Sequence, residues 1–199
     1  MKKLDVIGVI KEGLGIGLKN AASLIGALIL YIVTIWIPYI NVGTTIAICS
    51  IPIELAKGNV ISPTFIFDKK YRKYMGEFFT LIGLMSIALI PAFAFLIVPA
   101  IVIGIGWSLA IYILIDKEVS PADALTMSTK ATFGNKWAIF FISLILVIAF
   151  YILFFLFVLI PYLGVVLIIA LAICYSVVTL GCRAVIYRDL AKDAPLAEK

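Results

Sequence analysis

WAIFFISLILVIAFYILFFLFVLIPYLGVVLIIALAICYSVVTLGC, residues 137–182, runs for 46 positions without a charged side chain. Two further runs share this property, residues 20–53 (34 positions) and 78–115 (38 positions). A lipid core about 30 Å thick takes roughly 20 apolar residues per crossing helix. At about 1.5 Å per residue, even the shortest run would make a helix of about 51 Å, too long for one crossing. Each run carries proline near its middle: Pro38, then Pro91 and Pro99, then Pro161. Proline removes a backbone donor and clashes with the preceding turn, so each run is expected to fold back on itself. The pattern predicts an all-α integral membrane protein with six transmembrane helices as three hairpin repeats. The first hairpin is tight, with about 17 residues per arm. An alternative is that it enters only one leaflet.

The sixteen Lys and Arg fall between these runs. They form four clusters: Lys2, Lys3, Lys11, Lys19; Lys57, Lys69, Lys70, Arg72, Lys73; Lys117, Lys130, Lys136; and Arg183, Arg188, Lys192, Lys199. With six crossings all four share one face, and the hairpin tips hold no Lys or Arg. Short basic loops stay cytoplasmic. Both termini are therefore expected inside, in a bacterial inner (cytoplasmic) membrane. The net charge of +5 reflects this topology and does not point to nucleic acid. Anionic headgroups are the nearest partner, at about 1 kcal/mol per basic residue.

The chain has no histidine, and so no Ser/His/Asp or Cys/His catalytic set. Its three cysteines, Cys49, Cys174 and Cys182, make no CxxC pair and read as small apolar residues. No cleavable signal is expected, because Asp5, Lys11 and Glu12 interrupt the stretch that would have to be apolar. No cofactor or metal is expected.

Residues 4–19 read as an interfacial amphipathic helix. Asp5, Gly8, Glu12, Gly15 and Lys19 share one face, and Ile7, Ile10, Leu14 and Leu18 the other. The run Gly13-Leu14-Gly15-Ile16-Gly17 lacks the Lys-Ser/Thr ending of a phosphate loop, so close helix packing is its expected use. Short cytoplasmic helices are expected at 62–75 and 120–133, each opened by a Ser-Pro pair, Ser62-Pro63 and Ser120-Pro121. Gly76 and Gly134 follow thirteen residues after each proline, and a hairpin starts at once. The tips also match, Ile37-Pro38-Tyr39 with Ile160-Pro161-Tyr162. The chain thus reads as one membrane domain, 1–199, of three related units: hairpins at 20–53, 78–115 and 137–182, and a cytoplasmic tail at 183–199. Duplication and convergence are both open as its origin.

The segments Ser120-Pro121-Ala122-Asp123-Ala124-Leu125, Ser128, Gly134-Asn135-Lys136-Trp137 and Tyr187-Arg188-Asp189-Leu190 carry a resemblance. The chain resembles uncharacterised bacterial polytopic membrane proteins related to the membrane domain fused to some glycerophosphodiester phosphodiesterases. The resemblance implies a six-helix inner-membrane protein. It brings no active site, since the catalytic domain of such fusions is a separate soluble unit.

The candidate contacts for lipid or a partner are Lys69, Lys70, Arg72, Lys73, Lys136, Arg183 and Arg188. Tyr71 and Tyr74 interleave with the first four and suit an interface. Asn41, Thr44, Thr45 and Ser50 could line an uncharged pore, or bond helices together. Glu54 is expected to pair with Lys57, three residues on; the alternative is an intramembrane functional carboxylate. Trp36 and Tyr39 are expected near the outer interface, Trp137 near the inner one, and Trp107 in packing. The expected function is a non-enzymatic membrane scaffold or accessory protein contacting anionic lipid or a partner. The alternative is an ion or small-solute channel, then a homo-oligomer because one protomer has little room for a pore.

Overall fold

The computed structural model describes residues 3–95 and 97–192. Among the described residues it is all-α: α1 Val6–Lys19, α2 Ala21–Thr34, α3 Pro38–Ala56, α4 Met75–Phe95, α5 Ile97–Gly106, α6 Ala110–Lys117, α7 Pro121–Thr132, α8 Lys136–Val158 and α9 Leu163–Leu190. Five stretches are long and apolar enough to cross a membrane: Pro38–Ala56, Lys69–Phe95, Ile97–Lys117, Lys136–Val158 and Leu163–Leu190. The pair α1 and α2 would make a sixth, but it bends by 74° at Asn20. The chain is a multi-helical protein of the kind that spans membranes several times. Ile87, Ile90, Tyr151, Phe155 and Val165 are among the large apolar side chains it leaves exposed. Water would disfavour so much bare hydrocarbon surface, and lipid does not.

The helices begin where local chemistry starts them. Asp5 caps α1, its carboxylate accepting from the Ile7 and Gly8 amides at 3.3 and 3.0 Å. Ser120 caps α7 by accepting from the Asp123 amide at 3.2 Å, and its hydroxyl donates to the Asp123 carboxylate at 2.7 Å. Pro38 and Pro121 occupy first-turn positions, where no amide donor is needed.

The tightest packing joins α1 to the C-terminal half of α9. A Cβ added at Gly13 would lie 2.6 Å from the Cys182 nitrogen, and one at Gly17 2.7 Å from the Val177 carbonyl. One added at Gly181 would lie 2.1 Å from the Gly13 carbonyl. Only hydrogen fits at these points, so the glycines let the two backbones touch. Gly15, between them in sequence, faces open space.

Several expectations need correction. Residues 62–75 do not form one helix. They form two 3-10 turns, Pro63–Phe67 and Lys69–Tyr74, because extended Asp68 stands between them and its carboxylate accepts from the Lys70 amide at 3.0 Å. Within the expected tail at 183–199, α9 continues to Leu190, its charged last turns joined by ion pairs, and residues 193–199 lie outside the described residues. The third charge-free run makes α8 and α9, whereas the second is broken at Trp107, Ser108 and Leu109, which separate α5 from α6.

The largest departure concerns the first hairpin. The Arg72 guanidinium lies 5.5 Å from the centroid of the Tyr39 ring, and Arg72 Cγ would be 3.1 Å from a Cβ on Gly43. Tyr39 and Arg72 cannot stand on opposite faces of a lipid core about 30 Å thick. The tip of the first hairpin therefore sits beside a basic cluster. At 14 residues, α2 is about 21 Å long, short of a full crossing.

Candidate functional site

The charged groups collect where α3, α6, α9 and the 3-10 turn before α4 meet. Lys57 pairs with Asp116, and the Tyr187 hydroxyl donates to the other oxygen of the same carboxylate. Tyr187 is fully buried on α9, its ring edge-on to Tyr112 at 5.9 Å. This corrects the expected Glu54–Lys57 pair. Lys57 reaches across to the end of α6, and the Glu54 carboxylate accepts from the Asn59 side-chain amide at 2.8 Å. A second link joins Glu118 to Lys73 at 2.9 Å and to the Tyr74 hydroxyl at 2.6 Å. The Tyr74 hydroxyl, then the Lys73 ammonium, hold the Glu118 carboxyl below its ordinary pKa. A third link ties the ends of the chain, with Arg188 bidentate to Glu12 and its Nε 3.0 Å from Asp189.

A polar cavity of about 160 Å³ lies beside the first link, lined by Ser50, Glu54, Lys70, Tyr71 and Asp116 among others. The Lys70 ammonium stands 4.9 Å over the Tyr71 ring. The Tyr71 hydroxyl is buried without a hydrogen-bond partner among the described residues.

The seven predicted contact residues do not act as one patch. Lys73 and Arg188 are committed to carboxylates, and Arg72 to Tyr39. Lys70 is 3.7 Å from Asp68, and Lys69 is exposed. Lys136 and Arg183 form no ion pair among the described residues, and each lines a cavity beside α5. Lys136 opens onto a cleft of about 310 Å³ between α5 and α8 whose walls are apolar: Val98, Ile101, Ile105, Trp137 and Phe140. Arg183 lines a cavity of about 270 Å³ on the other side of that helix pair, with Trp107, Ser108, Tyr112 and Ser143.

The predicted pore set lies together but facing neighbouring helices. Thr44 and Thr34 are buried, hydroxyl to hydroxyl at 3.2 Å. Thr45 donates to the Asn41 side chain at 3.1 Å and lies 3.2 Å from the Tyr31 hydroxyl. Buried Ser50 donates to the Ala47 carbonyl at 2.7 Å. These contacts are the interhelical and backbone bonds that such residues make in packed membrane bundles.

Sequence reasoning gave no site role to Asp116, Glu118, Tyr112 or Tyr187. Their signal was the Asp116-Lys117-Glu118 triplet closing an uncharged run opposite Lys57 and Lys73. No group of three or more His, Cys, Asp or Glu among the described residues could hold a metal ion. Comparison of the chain with protein-family models, curated proteins and solved structures gives no match.

Proposed function

We propose that the protein is a non-enzymatic membrane scaffold or accessory protein that holds anionic phospholipid at its basic end. One observation carries this reading: Lys136 lines the apolar cleft between α5 and α8 with no carboxylate paired to it among the described residues. An apolar channel ended by a cation matches a lipid, with acyl chain along Ile101 and Phe140 and phosphate at Lys136. Trp137 at the same level suits the headgroup boundary. The basic end faces the cytoplasm of a bacterium in this reading, with both termini inside. The first hairpin enters and leaves from that face, because its tip meets Arg72. Four stretches then cross: α4, α5 with α6, α8 and α9.

The test is native mass spectrometry of the purified protein titrated with phosphatidylglycerol and phosphatidylcholine. Preferential retention of phosphatidylglycerol, reduced in Lys136→Gln, is the expected result. Equal retention of both lipids by the unaltered protein would overturn the reading.

A further inference from the structure

The membrane stretch Ile97–Lys117 is broken at Trp107, Ser108 and Leu109. Such a break frees backbone groups that lipid cannot satisfy. Here α7 supplies the partners. The buried Ser128 hydroxyl donates to the Gly106 carbonyl at 2.6 Å and accepts from the Leu109 amide at 3.2 Å. Thr132 adds a longer contact to the Gly106 carbonyl at 3.3 Å. The break is therefore braced by α7 at the Gly106 carbonyl and the Leu109 amide. Discontinuous helices in membrane bundles commonly mark ligand sites.

The cavity beside this break is lined by Trp107 and Ser108 from the break, Tyr112 from α6, Ser143 from α8 and Arg183 from α9. Arg183 is an exposed residue of α9 and lines this cavity. Its one hydrogen bond among the described residues comes from Nη1 to the Tyr112 hydroxyl, at 3.3 Å. Asp116, four residues after Tyr112 on α6, is engaged by Lys57 and Tyr187. A guanidinium presents five N–H donors in a planar fork, and one long bond to a neutral hydroxyl leaves that fork largely unused. An unpaired charge in a membrane helix is costly and is by default functional.

We infer that Arg183, with Ser143, binds an oxyanion, a phosphate group, in the cavity at the α5–α6 break. The site is separate from the Lys136 cleft and does not depend on lipid binding there. Guanidinium and phosphate match in charge and in fork geometry. The Ser143 hydroxyl adds a donor to a remaining oxygen, the Ser108 hydroxyl being spent on the Ile105 carbonyl at 2.7 Å, and the indole of Trp107 walls the site. The phosphate has two sources, a phospholipid headgroup reaching in from the bilayer or free inorganic phosphate.

Trp107 reports on the cavity directly once Trp36→Phe and Trp137→Phe leave it as the sole indole. In vesicles, quenching by phosphatidylglycerol brominated on its chains is compared with quenching by brominated phosphatidylcholine. Separately, the protein in phosphatidylcholine vesicles is titrated with inorganic phosphate while Trp107 emission is followed. A preference for phosphatidylglycerol that falls about ten-fold in Arg183→Gln, yet persists in Lys136→Gln and Arg183→Lys, identifies a headgroup site. A saturable response to inorganic phosphate, lost in Arg183→Gln, identifies a free-anion site. If Arg183→Gln does not fold, Ser143→Leu, which fills the cavity from α8, is expected to cause the same loss. Absence of both lipid preference and phosphate response, or either one unchanged by Arg183→Gln and Ser143→Leu, overturns the proposal.

Discussion

Gly13 and Gly181 place backbone against backbone, and that contact sets a sharp test at the scale of the residue. A methyl group at Gly181 would have to displace the Gly13 carbonyl, which no side-chain rotation can relieve. Gly181→Ala is expected to cost about 1–3 kcal/mol of stability, as overpacking does. Gly15→Ala, with open space around it, is expected to stabilise α1 by about 0.5–1 kcal/mol. Thermal unfolding of both variants in one detergent checks the pair, and equal effects would refute the packing. Glu118 offers a pH test. Its pKa is depressed, so the link to Tyr74 and Lys73 contributes at pH above the ordinary carboxylate value and is lost as pH falls through the lowered one. Tyr74→Phe is expected to move the Glu118 midpoint upward, as read by carbon NMR of the carboxyl. An unchanged midpoint would remove the Tyr74 hydroxyl as its main cause. The Gly13 to Gly17 spacing could be read from sequence as a packing motif. Its partner could not, since nothing in the spacing of Gly181 names α1.

Among the elements, the break between α5 and α6 depends on α7 more than on its own residues. Ser128→Ala would leave the Leu109 amide without its partner and the Gly106 carbonyl with only the longer Thr132 contact, at about 1–3 kcal/mol. Ser128→Thr keeps the hydroxyl and is expected to cost less. Hydrogen exchange at the Leu109 amide separates the two, since only the alanine variant should lose protection there. Gly104, Gly106 and Ser108 foreshadow the break in the sequence, but an uncharged run of 38 residues reads first as two plain arms. The segment between hairpins failed for a related reason. Ser62-Pro63 resembles the start of α7, yet Asp68 stops the turn that Pro63 begins, and the local chain settles as 3-10. Long, uniform elements such as α8 and α9 were legible because hydrophobicity alone fixes them.

For the whole molecule, composition and charge spacing were enough to announce a multi-pass helical protein, and they place the basic residues between the apolar runs. They could not place the first hairpin, whose position depends on a contact across 33 residues of sequence, Tyr39 with Arg72. Nor could they divide the cations between those that hold the fold, such as Lys57 and Arg188, and those left facing cavities, Lys136 and Arg183. The first hairpin is expected to return to the basic face while the last one crosses. In a cysteine-free background, single cysteines at Trp36 and Tyr162, both exposed tip residues, would be treated on intact cells with a membrane-impermeant maleimide. The account predicts that Tyr162→Cys is labelled from outside and Trp36→Cys is not. Labelling of Trp36→Cys at the rate of Tyr162→Cys would place both tips outside and contradict it.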